Sequence, residues 1–85
     1  MIDTLKKIEG LLKKYDEKQW SISFHVFINS YSTSENRDLK NKIRGIYRGM
    51  GSFNDLILFK DGRMCTEGNI KLDALRKKLF REVTQ

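Results

Sequence analysis

Proline is absent from these 85 residues, and cysteine, histidine and tryptophan occur once each. Each scarcity removes a class of protein. Without proline there is no polyproline segment, and no helix is broken by a missing N–H. A single Cys65 excludes an intrachain disulfide and suits a reducing compartment. His25 stands forty positions from Cys65, so the several Cys, His or carboxylate ligands that zinc needs are not there. No metal and no cofactor is therefore expected. The longest apolar run, Leu56 to Phe59, falls far short of the ~20 residues of a bilayer-spanning helix. The segment Met1 to Lys7 begins an amphipathic helix and lacks an apolar leader. The expectation is a soluble, cytoplasmic chain with no membrane partner.

What is present is a globular composition, 39% hydrophobic and 33% charged, too apolar for a disordered tail. This length supports one domain over residues 1–85, with a core of about 20 side chains and no room for a large cavity. The formal charge is +6, and it is lopsided. Residues 1–36 balance five lysines against five acids, whereas residues 37–85 set twelve Lys and Arg against six acids. All six arginines lie in that second part. Arginine is the planar, multidentate cation of carboxylate and phosphate interfaces, so a polyanionic partner is expected. The same charge also suits a solvated surface that keeps a small domain soluble.

Periodicity supplies the architecture. Ile2, Leu5, Ile8, Leu12 and Tyr15 recur at helical steps, with lysines between them. Asp16, with Gln19 three residues on, predicts a capped second helix. From Trp20 to Tyr31, Ile22, Phe24 and Val26 alternate as in a strand. Trp20, Phe24, Phe27, Ile28 and Tyr31 match a helix face, and length decides for helix. Ser30 to Asn36 is a polar connector in which Ser32 with Glu35, or Ser34 alone, is expected to cap the third helix. The third stripe is Leu39, Ile43, Ile46, Tyr47 and Met50, ended by Gly49 or Gly51. Leu56 to Phe59, Asp61-Gly62 and Arg63 to Cys65 then predict a short hairpin with a type I′ turn, lying against the helices. Asn69 is expected to cap the last helix. There Leu72, Leu75, Leu79, Phe80 and Val83 point inward, and Lys71, Arg76, Lys77, Lys78 and Arg81 mostly outward. The predicted fold is mainly α: four amphipathic helices with a short β-hairpin before the last, or α+β if that hairpin is well formed.

Few residues carry obvious chemistry. His25 has no nucleophile to serve as base, and Cys65 has no assigned acid or base, so no catalytic residues are expected and the chain reads as non-enzymatic. The glycines at 49 and 51 do not form a phosphate loop, because helix precedes them and no GK[ST] follows. Aromatics and basics do not interleave along the sequence as they do in single-strand binders. The informative stretch is Gly49 to Leu58, where a helix stop, a turn and a strand start are packed together. Asn54 and Asp55 are expected to bond to the turn backbone there.

The order of Trp20, Ile43, Ile46, the run Gly-Met-Gly-Ser-Phe-Asn-Asp-Leu at 49–56, then Ile57 and Leu58 resembles a family of small bacterial domains. The resemblance covers the chain from about Leu11 onward. That family has no activity to carry over. By analogy of size and type the chain is similar to immunity proteins, which bind and neutralise a cognate bacterial toxin. The leading expectation is thus an interaction protein whose toxin partner presents an acidic contact surface. Its contact residues would be Arg37, Lys40, Arg44, Arg48 and Arg63 with the loop residues Ser52, Phe53, Asn54 and Asp55. The alternative is a small basic nucleic-acid-binding or regulatory domain.

Overall fold

A computed structural model describes residues 1–49 and 51–85. It contains helices α1 (Ile2–Lys14), α2 (Lys18–Ser30), α3 (Arg37–Gly45) and α4 (Thr66–Thr84). A single 3-10 turn, Phe53–Asp55, and a two-stranded antiparallel hairpin, β1 (Phe59–Lys60) and β2 (Arg63–Met64), separate α3 from α4. The predicted mainly helical class, with four helices and the hairpin before the last, is what is found. Met50, assigned from its spacing to the third apolar stripe, lies outside the described residues.

Helix α1 packs on α2 and α4, and α3 packs on α4 and α2. Leu5, Ile8 and Leu12 from α1 meet Phe24 and Phe27 from α2, Leu39 and Ile43 from α3, and Leu72, Leu79 and Val83 from α4. Phe53, from the 3-10 turn, is completely buried among them. Its ring lies 5.0 Å from Phe24, 5.2 Å from Trp20 and 5.7 Å from Tyr47, centroid to centroid. Aromatic pairs at such separations add about 0.5–1.5 kcal/mol each beyond the area they bury. The loop therefore supplies the aromatic hub of the core.

Asp16 does not cap α2. It adopts φ 59°, while its N–H donates to the Lys13 carbonyl at 3.1 Å and the Glu17 N–H donates to Leu12 at 2.9 Å. This six-to-one, five-to-two pair is a Schellman motif, so Asp16 ends α1, using the left-handed tolerance of a short polar side chain. Glu17 takes the N-cap position of α2. At α3 the cap position falls to Asn36 rather than Ser32 or Ser34. Its amide turns back to accept the Ser32 N–H and donate to the Ser32 carbonyl, both at 2.6 Å. Helix α3 stops at Gly45, ahead of Gly49 and Gly51. Those two glycines sit at φ 85° and 71° in the turns that bring Phe53 back, its N–H donating to Ile46 at 2.8 Å.

The hairpin turns through Asp61 (φ 54°) and Gly62 (φ 78°), as a type I′ turn requires, and pairs Phe59 with Met64. It does not lie against the helices, because Phe59 and Met64 are exposed. Its base is what is anchored: Leu58 is fully buried, and Asn69 holds it. The Asn69 amide accepts the Leu58 N–H at 2.7 Å and donates to the carbonyls of Leu58 (3.0 Å) and Cys65 (2.7 Å). Cys65, not Asn69, stands at the N-cap of α4.

Two further assignments on α4 are reversed. Phe80 is 44% exposed instead of inward. Arg76 is drawn in, its side chain only 15% exposed.

Candidate functional site

Helix α3 is short and strongly two-faced: Leu39 and Ile43 go to the core, so residues a turn apart on the other side gather its cations. Arg37, Lys40 and Arg44 line one open groove of about 480 Å³, with Ser34, Glu35 and Asn36 from the connector and Gln85 from the end of α4. Arg37 Nε is 3.4 Å from a Glu35 carboxylate oxygen in a well-exposed pair, which contributes little to stability. Lys40 makes no ion pair among the described residues. Arg44 is committed to the fold. Its Nη1 donates to the Val83 carbonyl at 2.7 Å, and its Nη2 donates to the Asn41 side chain.

The other expected contact residues are scattered. Arg48 is exposed beyond the end of α3 and does not line this groove. Arg63 lies on the hairpin, beside a shallow depression shared with Lys60, Asp61, Met64 and Cys65. Ser52 and Phe53 are buried, so neither reaches a partner on the folded chain. This corrects the expectation for both. Asp55 and Asn54 are exposed and bond to the turn backbone as expected. Asp55 accepts the Gly51 N–H at 3.0 Å, and the Asn54 Nδ2 donates to the Tyr47 carbonyl at 3.2 Å.

A second groove, of about 460 Å³, runs between the turn after α3 and the middle of α4. Tyr47, Asn54, Asp73, Arg76, Lys77, Phe80 and Arg81 line it. Tyr47 donates its hydroxyl to the Arg76 carbonyl at 2.7 Å, and Arg76 Nη1 donates to the carbonyls of Phe53 (3.1 Å) and Leu56 (3.0 Å). Burial pushes the Tyr47 phenol well above its ordinary pKa, with Arg76 pulling the other way. Lys77, bonded to Asp73 at 2.9 Å, holds that carboxyl below its usual range, and Arg76 at 3.3 Å adds to the effect. Sequence reasoning missed Arg76. The signal was there, since Leu72, Arg76, Leu79 and Val83 follow at steps of four, three and four, the spacing of one helix face.

The two residues with reactive side chains each have a local partner. His25 is exposed, with Nδ1 3.0 Å from a Glu9 carboxylate oxygen. Cys65 Sγ lies 2.9 Å from the Tyr15 hydroxyl. The Tyr15 O–H, and then the Gly68 N–H, hold the thiol below its ordinary pKa, and the same bond raises the Tyr15 phenol. Tyr15 reaches Cys65 over Gly68, where a Cβ would come within 2.7 Å of the phenol. Among the described residues no three His, Cys, Asp or Glu side chains are grouped to hold a metal ion, and no helix is long and apolar enough to cross a membrane.

The family described as Domain of unknown function (DUF6966) matches residues 13–66. The chain belongs to that family. The DUF6966 span covers the end of α1, all of α2 and α3, the Gly49 to Leu58 stretch and the hairpin, and it stops at the first residue of α4. Arg37, Lys40 and Arg44 fall inside it, whereas Arg76, Phe80 and Arg81 lie beyond. No curated protein and no solved structure matches the chain.

Proposed function

We propose that this DUF6966 protein is a non-enzymatic interaction module. Its α3 face docks on an acidic protein surface and, more narrowly, neutralises a cognate bacterial toxin as an immunity protein does. The observation that carries the docking reading is the convergence of Arg37, Lys40 and Arg44 on one open groove, where, among the described residues, Glu35 brings the one acidic side chain. Such a patch raises the encounter rate with an acidic partner and penalises a basic one. Within the groove the roles divide. Lys40 makes no ion pair among the described residues and Arg37 holds only its exposed pair with Glu35, while Arg44 fixes the end of α4 and presents only its remaining N–H groups. The toxin assignment rests on the analogy of size and type with immunity proteins.

The test is capture of any secreted-toxin domain that a neighbouring gene encodes, with affinity measured at low and high salt. The expected result is a one-to-one complex that weakens as salt screens the rim charges. Lys40→Glu should weaken it at least tenfold, about 1.4 kcal/mol. Binding insensitive to both salt and Lys40→Glu would remove this face from the account.

A further inference from the structure

We propose that the groove between the turn after α3 and the middle of α4 binds a nucleotide, with its base against the Phe80 ring and its phosphate on Arg81 and Lys77. This site is separate from the protein-docking face, and its variants leave Arg37 and Lys40 untouched.

Phe80 is the first reason. Its ring rests on Tyr47 at 5.1 Å and an interplanar angle of 58°, yet 44% of the residue stays exposed. Tyr47 is itself buried and tethered through its hydroxyl to Arg76. The result is an aromatic platform already fixed in place, which needs little ordering when a flat ring stacks on it. Along the sequence no aromatic alternates with cations. The fold creates that arrangement by setting Phe80 among Lys77 and Arg81 on a single helix face and closing the other side with Tyr47.

Charge is the second reason. Arg81 makes no ion pair among the described residues. Lys77 and Arg76 both face Asp73, so the groove's carboxylate is satisfied twice over and the balance of its lining is cationic. A phosphate meets that surplus without displacing a structural bond of Arg76. Asn54 supplies a polar edge: its Nδ2 is committed to the Tyr47 carbonyl, which leaves Oδ1 as an acceptor for an exocyclic amine of a base. The groove volume of about 460 Å³ is within the range of small-ligand sites. A lipid tail would leave the cations unused, and a bare carboxylate would leave the ring unused. A nucleotide engages the ring, the amide edge and the cations together.

Free nucleotides and the exposed end of a single strand share this chemistry, so the experiment has an arm for each. The full-length chain is titrated by calorimetry with AMP, with a short oligo(dA), and with inorganic phosphate at low salt. The expected result is saturable binding in the millimolar range or tighter for AMP or the oligonucleotide, and weaker binding of phosphate. Phe80→Leu keeps the apolar contact with Tyr47 but removes the stacking face, and should weaken binding about tenfold or more. Arg81→Gln should weaken it and flatten its salt dependence. An oligonucleotide held more than about tenfold tighter than AMP identifies a strand as the ligand, and equal affinities identify a free nucleotide. Three results would overturn the proposal: no saturable binding of either probe, phosphate binding as tight as AMP, or affinity unchanged in Phe80→Leu with the circular dichroism intact.

Discussion

Arg44 Nη1 donates to the carbonyl oxygen of Val83 at 2.7 Å, joining the basic face of α3 to the last turn of α4. That carbonyl has no partner within its own helix end, and a guanidinium there also opposes the negative end of the helix dipole. Arg44→Glu should therefore destabilise the fold by about 1–3 kcal/mol, whereas Lys40→Glu should stay within about 0.5 kcal/mol. Urea titration of the two variants separates them. Equal stabilities would show that the Arg44 bond contributes nothing, and without this control lost binding in an Arg44 variant has no clear meaning.

Arg76 is the clamp of the Gly49 to Leu58 stretch. Two loop carbonyls, of Phe53 and Leu56, share its Nη1. Arg76→Ala leaves both without that donor and should cost about 2–3 kcal/mol. Arg76→Lys should recover little, because one ammonium cannot reach both loop carbonyls and, as the guanidinium does through Nε, Asp73 as well. Thermal melts of the two variants measure this. A lysine variant as stable as the parent would show that charge alone suffices.

Gly49 and Gly51 have positive φ, and a Cβ at either would meet nothing within 4 Å. Their requirement is purely one of backbone conformation. Alanine at either position should cost about 1 kcal/mol, by the left-handed penalty of an L-residue. Unchanged midpoints in both variants would contradict the φ argument.

Much of this was legible in the sequence, and the misses share a cause. The apolar stripes of α1 and α2 and the Asp61-Gly62 turn were readable because period and turn chemistry are local. Phe53 was not, since a single aromatic in a polar turn has no period, and only the closure of the loop onto Phe24 and Tyr47 buries it. Asn69 looked like a cap because Asn favours caps. It serves a strand end eleven residues away instead, a partner no local pattern names. Of the expected contact residues, only those on α3 were brought together, because one helix face is a sequence-local object. The groove around Phe80 joins a loop to α4 and needed the fold.

Thiol chemistry tests the Tyr15 contact. With its pKa lowered chiefly by the Tyr15 O–H, Cys65 should react with a neutral alkylating reagent at a lower pH than an ordinary cysteine. Tyr15→Phe should move the reactivity profile upward. Gly68→Ala should do the same by displacing the phenol, while the helix gain of about 1 kcal/mol from alanine limits the loss of stability. A profile unmoved in both variants would contradict the assignment.

The Tyr47 phenol, raised by burial, predicts an alkaline limb in stability. A raised pKa means the folded state holds its proton when the unfolded state, near pH ~10, gives it up. The contribution is complete below that pH and is lost as pH rises toward the folded-state pKa. Tyr47→Phe should be less stable near neutrality, having lost the bond to Arg76, and should fall less steeply above pH ~10. Parallel stability–pH curves for parent and variant would overturn this.

The central claim is neutralisation of a toxin through the α3 face, and co-expression tests it most directly. The genes flanking this one are searched for a toxin-like domain, and cells expressing such a domain are counted with the parent chain, with an Arg37→Glu/Lys40→Glu variant of unchanged circular dichroism, and with neither. The account predicts survival with the parent chain and death with the charge-reversed variant or with neither. Equal death with and without the parent chain, full rescue by the variant, or the lack of any toxin-like neighbouring gene would contradict it.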